Sequence, residues 1–314
     1  MSTKIVSPDL WPSLPFDEIS PTVEYLHRVA QIGGKYTLDQ PYQPNWGSIV
    51  LPVTPKGFAT PALWNGDVMF VVEYELLENR VVVTASTGNV SLPLAAGSVA
   101  DFYARFVDAV APLGIKPPRT TVATEIPGAK HLDVDSEFRP YDASVARRVW
   151  AALASSSRAL NEWQSSYRGP RLPVGIMWGG FDVYAARYNG REVTPPSTHP
   201  IFQQNGMSAE VVAVGFYFGS DQAPNPSFFA YISPPPEGIA KATFGVDGSS
   251  FSAAAGLIVL PWEIVRTSKD PHDTVLKFAD AVYDNAVKIG GWPTNLVGPR
   301  CDGWYASTHR VSTG

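Results

Sequence analysis

The sequence predicts an α+β fold made of two copies of one α-β(4-5)-α unit, with antiparallel sheets related by a pseudo-twofold. Three observations carry this reading. Helical periodicity brackets a series of short strands once before residue 115 and again after residue 142. Turn residues that tolerate positive φ, Glu78-Asn79, Thr87-Gly88-Asn89 and Asn189-Gly190, separate successive strands and make neighbours antiparallel. The two units also end alike, on Leu92-Pro93 and Phe106-Val107-Asp108-Ala109-Val110 in the first and on Leu260-Pro261 and Phe278-Ala279-Asp280-Ala281-Val282 in the second. Two fused copies leave a cleft between them where a small molecule can bind.

Taken in order, residues 1–20 form an N-terminal arm, 21–115 the first repeat, 116–141 a linker, 142–292 the second repeat and 293–314 a tail. Ser20-Pro21 reads as a helix start and Gly33-Gly34 as its stop, with Val23, Leu26 and Ala30 on the apolar side. Strands follow at 48–54, 57–62, 67–76, 80–85 and 89–93. In the third, Glu73 and Glu75 alternate with Val72 and Tyr74, as in a sheet with one wet face. Ser98 caps an amphipathic helix whose stripe is Val99, Phe102, Tyr103, Phe106 and Val110, and Gly114 ends it.

The linker has Pro117-Pro118, Pro127-Gly128 and no sustained period. Asp142 caps the long helix that opens the second repeat, which runs to Gly169-Pro170. Strands are expected at 174–178, 181–188, 210–218, 227–232 and 257–261. The long connections 194–208 and 234–251 are of a length that is either functional or disordered in a compact domain. Asp270-Pro271 opens the last helix, with Val275, Phe278, Val282 and Ile289 as its buried side.

Composition narrows the function classes. Net charge is −5 without a Lys/Arg cluster, which argues against nucleic acid as a partner. The longest apolar run, Ala253 to Trp262, is far short of the roughly 20 residues that span a bilayer, and Met1 to Phe16 lacks the apolar core of a secretory signal, so a cytoplasmic protein is expected. Cys301 is the single cysteine and can form no internal disulfide. Charged residues make up 17% and aromatic ones 12%, with 9 Trp and 29 Pro, a balance that suits rigid loops around a ring-lined interior.

No dinucleotide fingerprint, P-loop, zinc-protease motif, paired-cysteine motif or hydrolase elbow is present, and the five histidines are scattered singly. No metal or cofactor is therefore expected. In Trp178-Gly179-Gly180-Phe181-Asp182 two glycines separate a strand-terminal Trp from an aromatic-acid pair, a place for a bulge or close backbone approach. Asp182 then faces either water or an apolar pocket, where burial would raise its pKa and fit it for acid or base work. Glu210 at a strand start is a second candidate. His27 shares a helix face with Gln31 and Lys35; the ordinary reading is a solvated face, the other a buried polar role. Asn45, Trp46, Trp178, Tyr184, Tyr217 and Tyr231 are the candidate substrate-binding residues.

The strings Trp11-Pro-Ser-Leu-Pro15, Gln31-Ile-Gly-Gly-Lys35, Ser98-Val-Ala-Asp-Phe-Tyr103, Trp178-Gly-Gly-Phe-Asp182, Tyr231 with Pro234 to Gly238, and Gly290-Gly-Trp292 together resemble an uncharacterised microbial domain-of-unknown-function family across nearly the whole chain. The resemblance implies no known activity. It does imply histidines where this chain carries Asn45, Gly175 and Ala209, which with Glu210 would look like a metal site; here those ligands are gone. The resulting expectation is an enzyme that acts on a small apolar or aromatic molecule by acid/base catalysis, as in isomerisation, cyclisation or hydrolysis. The alternative is a ligand-binding protein without chemistry.

Overall fold

Pro15 closes an extended stretch, and its carbonyl accepts from the amides of Glu18 and Ile19 to start α1 (Phe16–Gly34). The helix thus begins at Phe16 rather than at Pro21, which lies inside it. Asp17 and Glu18 in the first turn suit the positive end of the helix dipole. Nor do Gly33 and Gly34 stop the helix: Gly34 keeps right-handed helical angles, and the chain passes straight into a 3-10 turn, Lys35–Asp39. Their missing side chains serve packing instead. A Cβ on Gly33 would lie 2.5 Å from the Tyr74 hydroxyl, and one on Gly34 2.5 Å from the Trp178 ring. This computed structural model describes residues 9–199 and 201–298, so Cys301 lies outside the described residues.

After a second 3-10 turn, Pro44–Ile49, come β1 (Val50–Leu51), β2 (Gly57–Ala59), β3 (Leu63–Asn65), β4 (Val68–Glu75), β5 (Arg80–Ala85) and β6 (Gly88–Pro93). The last five form an antiparallel sheet in the order β2-β4-β5-β6, with β3 also paired to β4. Phe70, Val72 and Tyr74 of β4 are buried and their neighbours less so, as the alternation predicts. Glu75 departs from it, buried in ion pairs with Lys56 and Arg80.

A short strand β7 (Gly97–Ser98) leads into α2 (Val99–Val110), where the Ser98 side chain accepts from the Asp101 amide. Val99, Phe102, Phe106 and Val110 are buried, and Gly114 ends the segment in the left-handed region. In the 116–141 segment, β8 (Phe138–Arg139) pairs with β7. Asp142 accepts from the Ser144 and Val145 amides to cap α3 (Ala143–Ser165).

The second half contributes β9 (Gly175–Met177), β10 (Asp182–Glu192), α4 (Ile201–Gly206), β11 (Ala209–Tyr217), β12 (Ser227–Ser233), β13 (Ser250–Ser252), β14 (Leu257–Pro261), α5 (Trp262–Thr267) and α6 (Pro271–Lys288). A seven-stranded sheet runs β1-β9-β10-β11-β12-β14-β13, so the first half supplies an edge strand to the second half's sheet. Asn189-Gly190 is not a hairpin turn. β10 continues through it with a register shift between Tyr188 and Glu192, a bulge that Gly190 accommodates at φ +85°. Asp270 caps α6 as expected, but Ile289 follows the helix and stays exposed.

Alternation along β10 divides the large sheet into two faces. Val183, Ala185 and Arg187 turn toward α3 and α6, where Arg187 lies against Trp163 and Tyr283. Tyr184, Ala186 and Tyr188 turn the other way and pack with Leu172, Val211 and Ala213 in a second, smaller apolar cluster. Helix α1 lies between the sheets, with Gly33 against Tyr74 of the smaller sheet and Gly34 against Trp178 beyond β9.

Candidate functional site

That second face forms the floor of a cavity of about 670 Å³. Tyr184, Tyr188, Phe229 and Tyr231 rise from the strands. Asn45, Trp46 and Ile49 come from the 3-10 turn before β1, Gln203 and Gly206 from α4, and Ala255 to Leu257 from the turn before β14. Four of the five non-glycine residues with positive φ among the described residues sit at or beside the cavity: Asn45, Trp46, Glu125 and Phe181. Such backbone costs on the order of 1–3 kcal/mol per residue and is held by its surroundings, commonly where a ligand is gripped.

The polar end is built on Gly179-Gly180. Glu125 lies over both glycines, and a Cβ on Gly180 would meet Asp182 Oδ1 at 2.5 Å and Glu125 Oε2 at 3.5 Å. Both carboxyls line the cavity and are near enough for the charge of Glu125 to raise the pKa of Asp182. Burial lifts the Asp182 carboxyl well above the usual carboxylate range, and the charge of Glu125 adds to this. Glu125 lines the cavity and keeps an exposed surface. Burial raises it to about 7, opposed by the Lys35 ammonium. Beside them the Tyr184 and Tyr231 hydroxyls share a 2.7 Å hydrogen bond. Burial pushes both phenols up, Tyr231 to about 12, so both stay protonated at neutral pH.

One face of α1 fastens this end from behind. The Gln31 amide accepts from Thr124 N and donates to Thr124 O, both at 2.8 Å, and Lys35 Nζ donates to Thr124 Oγ1 at 2.6 Å while lying 4.5 Å from the centre of the Trp178 ring. His27 Nε2 is 2.6 Å from the Gly179 carbonyl, which can only accept, so Nε2 carries the proton. The imidazole is stacked on Phe181, and burial lowers its pKa to about 4, leaving it neutral. Burial likewise lowers Lys35 to about 8, with Glu125 opposing the shift. The His27, Gln31 and Lys35 face is therefore a buried polar brace and not a solvated one.

Asp182, Asn45, Trp46, Tyr184, Tyr217 and Tyr231 all line the cavity. Three candidates are placed elsewhere. His27 stands behind the cavity floor, and Trp178 is buried against Gly34 with Nε1 donating to Thr37 Oγ1. Glu210 is outside the lining, bonded to Asn189 and paired with Arg191 at 3.4 Å, because it lies opposite the β10 bulge and alternates with Val211 and Ala213 of the cavity-side cluster. The positions implied as histidines also part company. Gly175 is level with Tyr184 and Gly215, and Ala209 lies six residues further along β11, roughly 20 Å at strand spacing. Among the described residues no group of three or more His, Cys, Asp or Glu could hold a metal ion.

Glu125 is the site residue that sequence reasoning misses. It sits in the aperiodic linker, and nothing local marks a glutamate held at φ 58° by a helix some ninety residues earlier in the chain. The one usable signal was the i, i+4, i+8 spacing of His27, Gln31 and Lys35 on α1.

The sequence profile of a family of unknown function, DUF5996, matches residues 11–298. The chain belongs to this family. That span takes in every element of the fold and both carboxyls of the site. Neither a search of curated proteins nor one of solved structures finds a match. Among the described residues no helix is long and apolar enough to cross a membrane.

Proposed function

We propose that the cavity is the active site of an enzyme that moves a proton on a small, largely apolar or aromatic molecule, in an isomerisation, cyclisation or hydrolysis. The observation that carries this reading is the Glu125–Asp182 carboxyl pair, set beside the Tyr184–Tyr231 hydroxyls at one end of an otherwise apolar-walled chamber. A group with a pKa near 7 is partly ionised at neutral pH and works as a base or an acid, and Glu125 is such a group. Asp182, its carboxyl raised well above the usual range by burial, serves as the acid. One phenol proton bridges the tyrosine pair, and the other is free to stabilise an oxygen that gains charge. The apolar lining of Leu172, Met177 and Ile232 suits an apolar body and would equally serve a binding protein without chemistry, the second reading.

The reading includes cytoplasmic work. It also includes descent of the two helix–meander–helix halves from one unit. In support, Leu92-Pro93 and Leu260-Pro261 end β6 and β14, and the two Phe-x-Asp-Ala-Val strings lie in α2 and α6.

The test is a mass-spectrometric screen of a metabolite extract incubated in D2O with the full chain, following protein-dependent conversion or deuterium uptake. Asp182→Asn and Glu125→Gln are each expected to slow the responding reaction by about 10²-fold or more. Unimpaired turnover by both variants would show the carboxyl assignment to be wrong.

A further inference from the structure

Charge and shape within the cavity point to the kind of molecule it takes. Among the described residues its lining includes two carboxyls, Glu125 and Asp182, and no lysine, arginine or histidine. Lys35 stands behind Glu125, its ammonium bonded to Thr124 and lying over Trp178, so it can balance one carboxylate at most. His27, also behind the floor, is neutral. Asp182 makes no side-chain hydrogen bond among the described residues, so its carboxyl faces the chamber with only its own amide as partner. The remaining titratable groups at this end, Tyr184, Tyr188 and Tyr231, are phenols, which add ring surface and no positive charge. Trp46, Tyr217 and Phe229 continue the ring surface along the walls.

Two carboxyls that share at most one protein counterion, set among electron-rich rings, form the chemical surround that captures an ammonium group, through Coulomb attraction and cation–π contact together. We infer that the cavity takes a small organic cation, a protonated amine or quaternary ammonium on an apolar or aromatic body, with its nitrogen beside Asp182 and Glu125 and its body against Leu172, Met177 and Ile232. This inference rests on the proposed active site only for its location. It concerns binding and holds whether or not a reaction follows.

Arrival of a cation favours the ionised carboxyls, so binding at neutral pH must expel protons, and affinity must rise with pH while the ligand keeps its charge. The native full chain is titrated calorimetrically with phenethylamine, with benzyltrimethylammonium as a fixed charge, and with phenethyl alcohol and 3-phenylpropionate as neutral and anionic counterparts. Both cations are expected to bind about tenfold or more tightly than the alcohol at neutral pH, and the carboxylate more weakly still. Benzyltrimethylammonium binding should release protons, read as a heat that differs between Tris and phosphate buffers. In Asp182→Asn and Glu125→Gln the preference for cation over alcohol should shrink several-fold, with the alcohol affinity held as a check on folding.

Equal binding of alcohol and amine, preference for the carboxylate, absence of binding by either cation, absence of proton release, or an unchanged preference in both variants would each overturn the inference. Cation binding without any turnover in the metabolite screen would leave it standing and count against the enzymatic reading. Turnover confined to neutral compounds would do the reverse.

Discussion

Replacing Arg187 with methionine should leave the fold intact and raise its stability. Arg187 is fully buried on the helix-facing side of the large sheet, its guanidinium carbon 3.7 Å from the centre of the Trp163 ring, 4.8 Å from Tyr283 and 5.1 Å from Tyr167. Nη2 donates to the Trp163 carbonyl, but Nε and Nη1 have no hydrogen-bond partner among the described residues. Burial lowers its pKa from 12.5 to about 10, partly opposed by the charge of Asp280. A change of that size corresponds to about 3 kcal/mol against the charged form. Contact with the rings returns about 2 kcal/mol when the cation is desolvated. The difference, about 1 kcal/mol, is what methionine should recover, because it fills the same slot with a flexible apolar chain that suits aromatic neighbours. Asp280 is exposed, so losing the cation strands no buried charge. In a thermal or urea melt at neutral pH, Arg187→Met should melt a few degrees higher, and Arg187→Ala about 3 kcal/mol lower because it leaves a cavity. A methionine variant less stable than the parent by about 2 kcal/mol would refute the reasoning and show that the ring contacts outweigh desolvation.

Other perturbations have equally definite signs. Gly34→Ala should cost about 1–3 kcal/mol in a melt, because its Cβ is driven into the Trp178 ring; a neutral result would mean that the ring can move aside. Asp142→Ala should cost about 1 kcal/mol by removing two cap bonds, while Asp142→Ser should recover most of it. The Glu125 carboxyl is raised from 4.5 to about 7, so the stability it contributes is full below about 4.5 and lost as pH rises through 7. The pH dependence of the melting temperature should flatten there in Glu125→Gln. His27 is lowered from 6.5 to about 4, so its contribution is full above 6.5 and lost as pH falls through 4, and His27→Gln should flatten the acid side.

Local chemistry was legible wherever it acts over a few residues. Ser98, Asp142 and Asp270 cap their helices as read, and the strands from Val68 to Pro93 fall close to their expected bounds. The misreadings share a cause, which is that tertiary contact decided what local pattern left open. Gly33-Gly34 looks like a helix stop until Tyr74 and Trp178 are seen against it, and Asn189-Gly190 looks like a turn until β11 pairs on both sides of it. Glu210 and Asp182 were equivalent as carboxylates near strand ends. Only the register, which puts Asp182 opposite Met177 at the cavity and Glu210 opposite the bulge, separates them. Glu125 was out of reach because its partners are fixed by long-range packing of α1.

The edge pairing of β1 with β9 joins Val50 to Met177 across most of the first half of the chain. A ribosome releasing this protein must therefore emit both carboxyl bearers and the turn at Ala255–Leu257 before the chamber can close around anything. Nascent fragments carry parts of the lining and none of its enclosure, so a small molecule that bound in the cavity would stabilise the native state only after translation had passed Leu257.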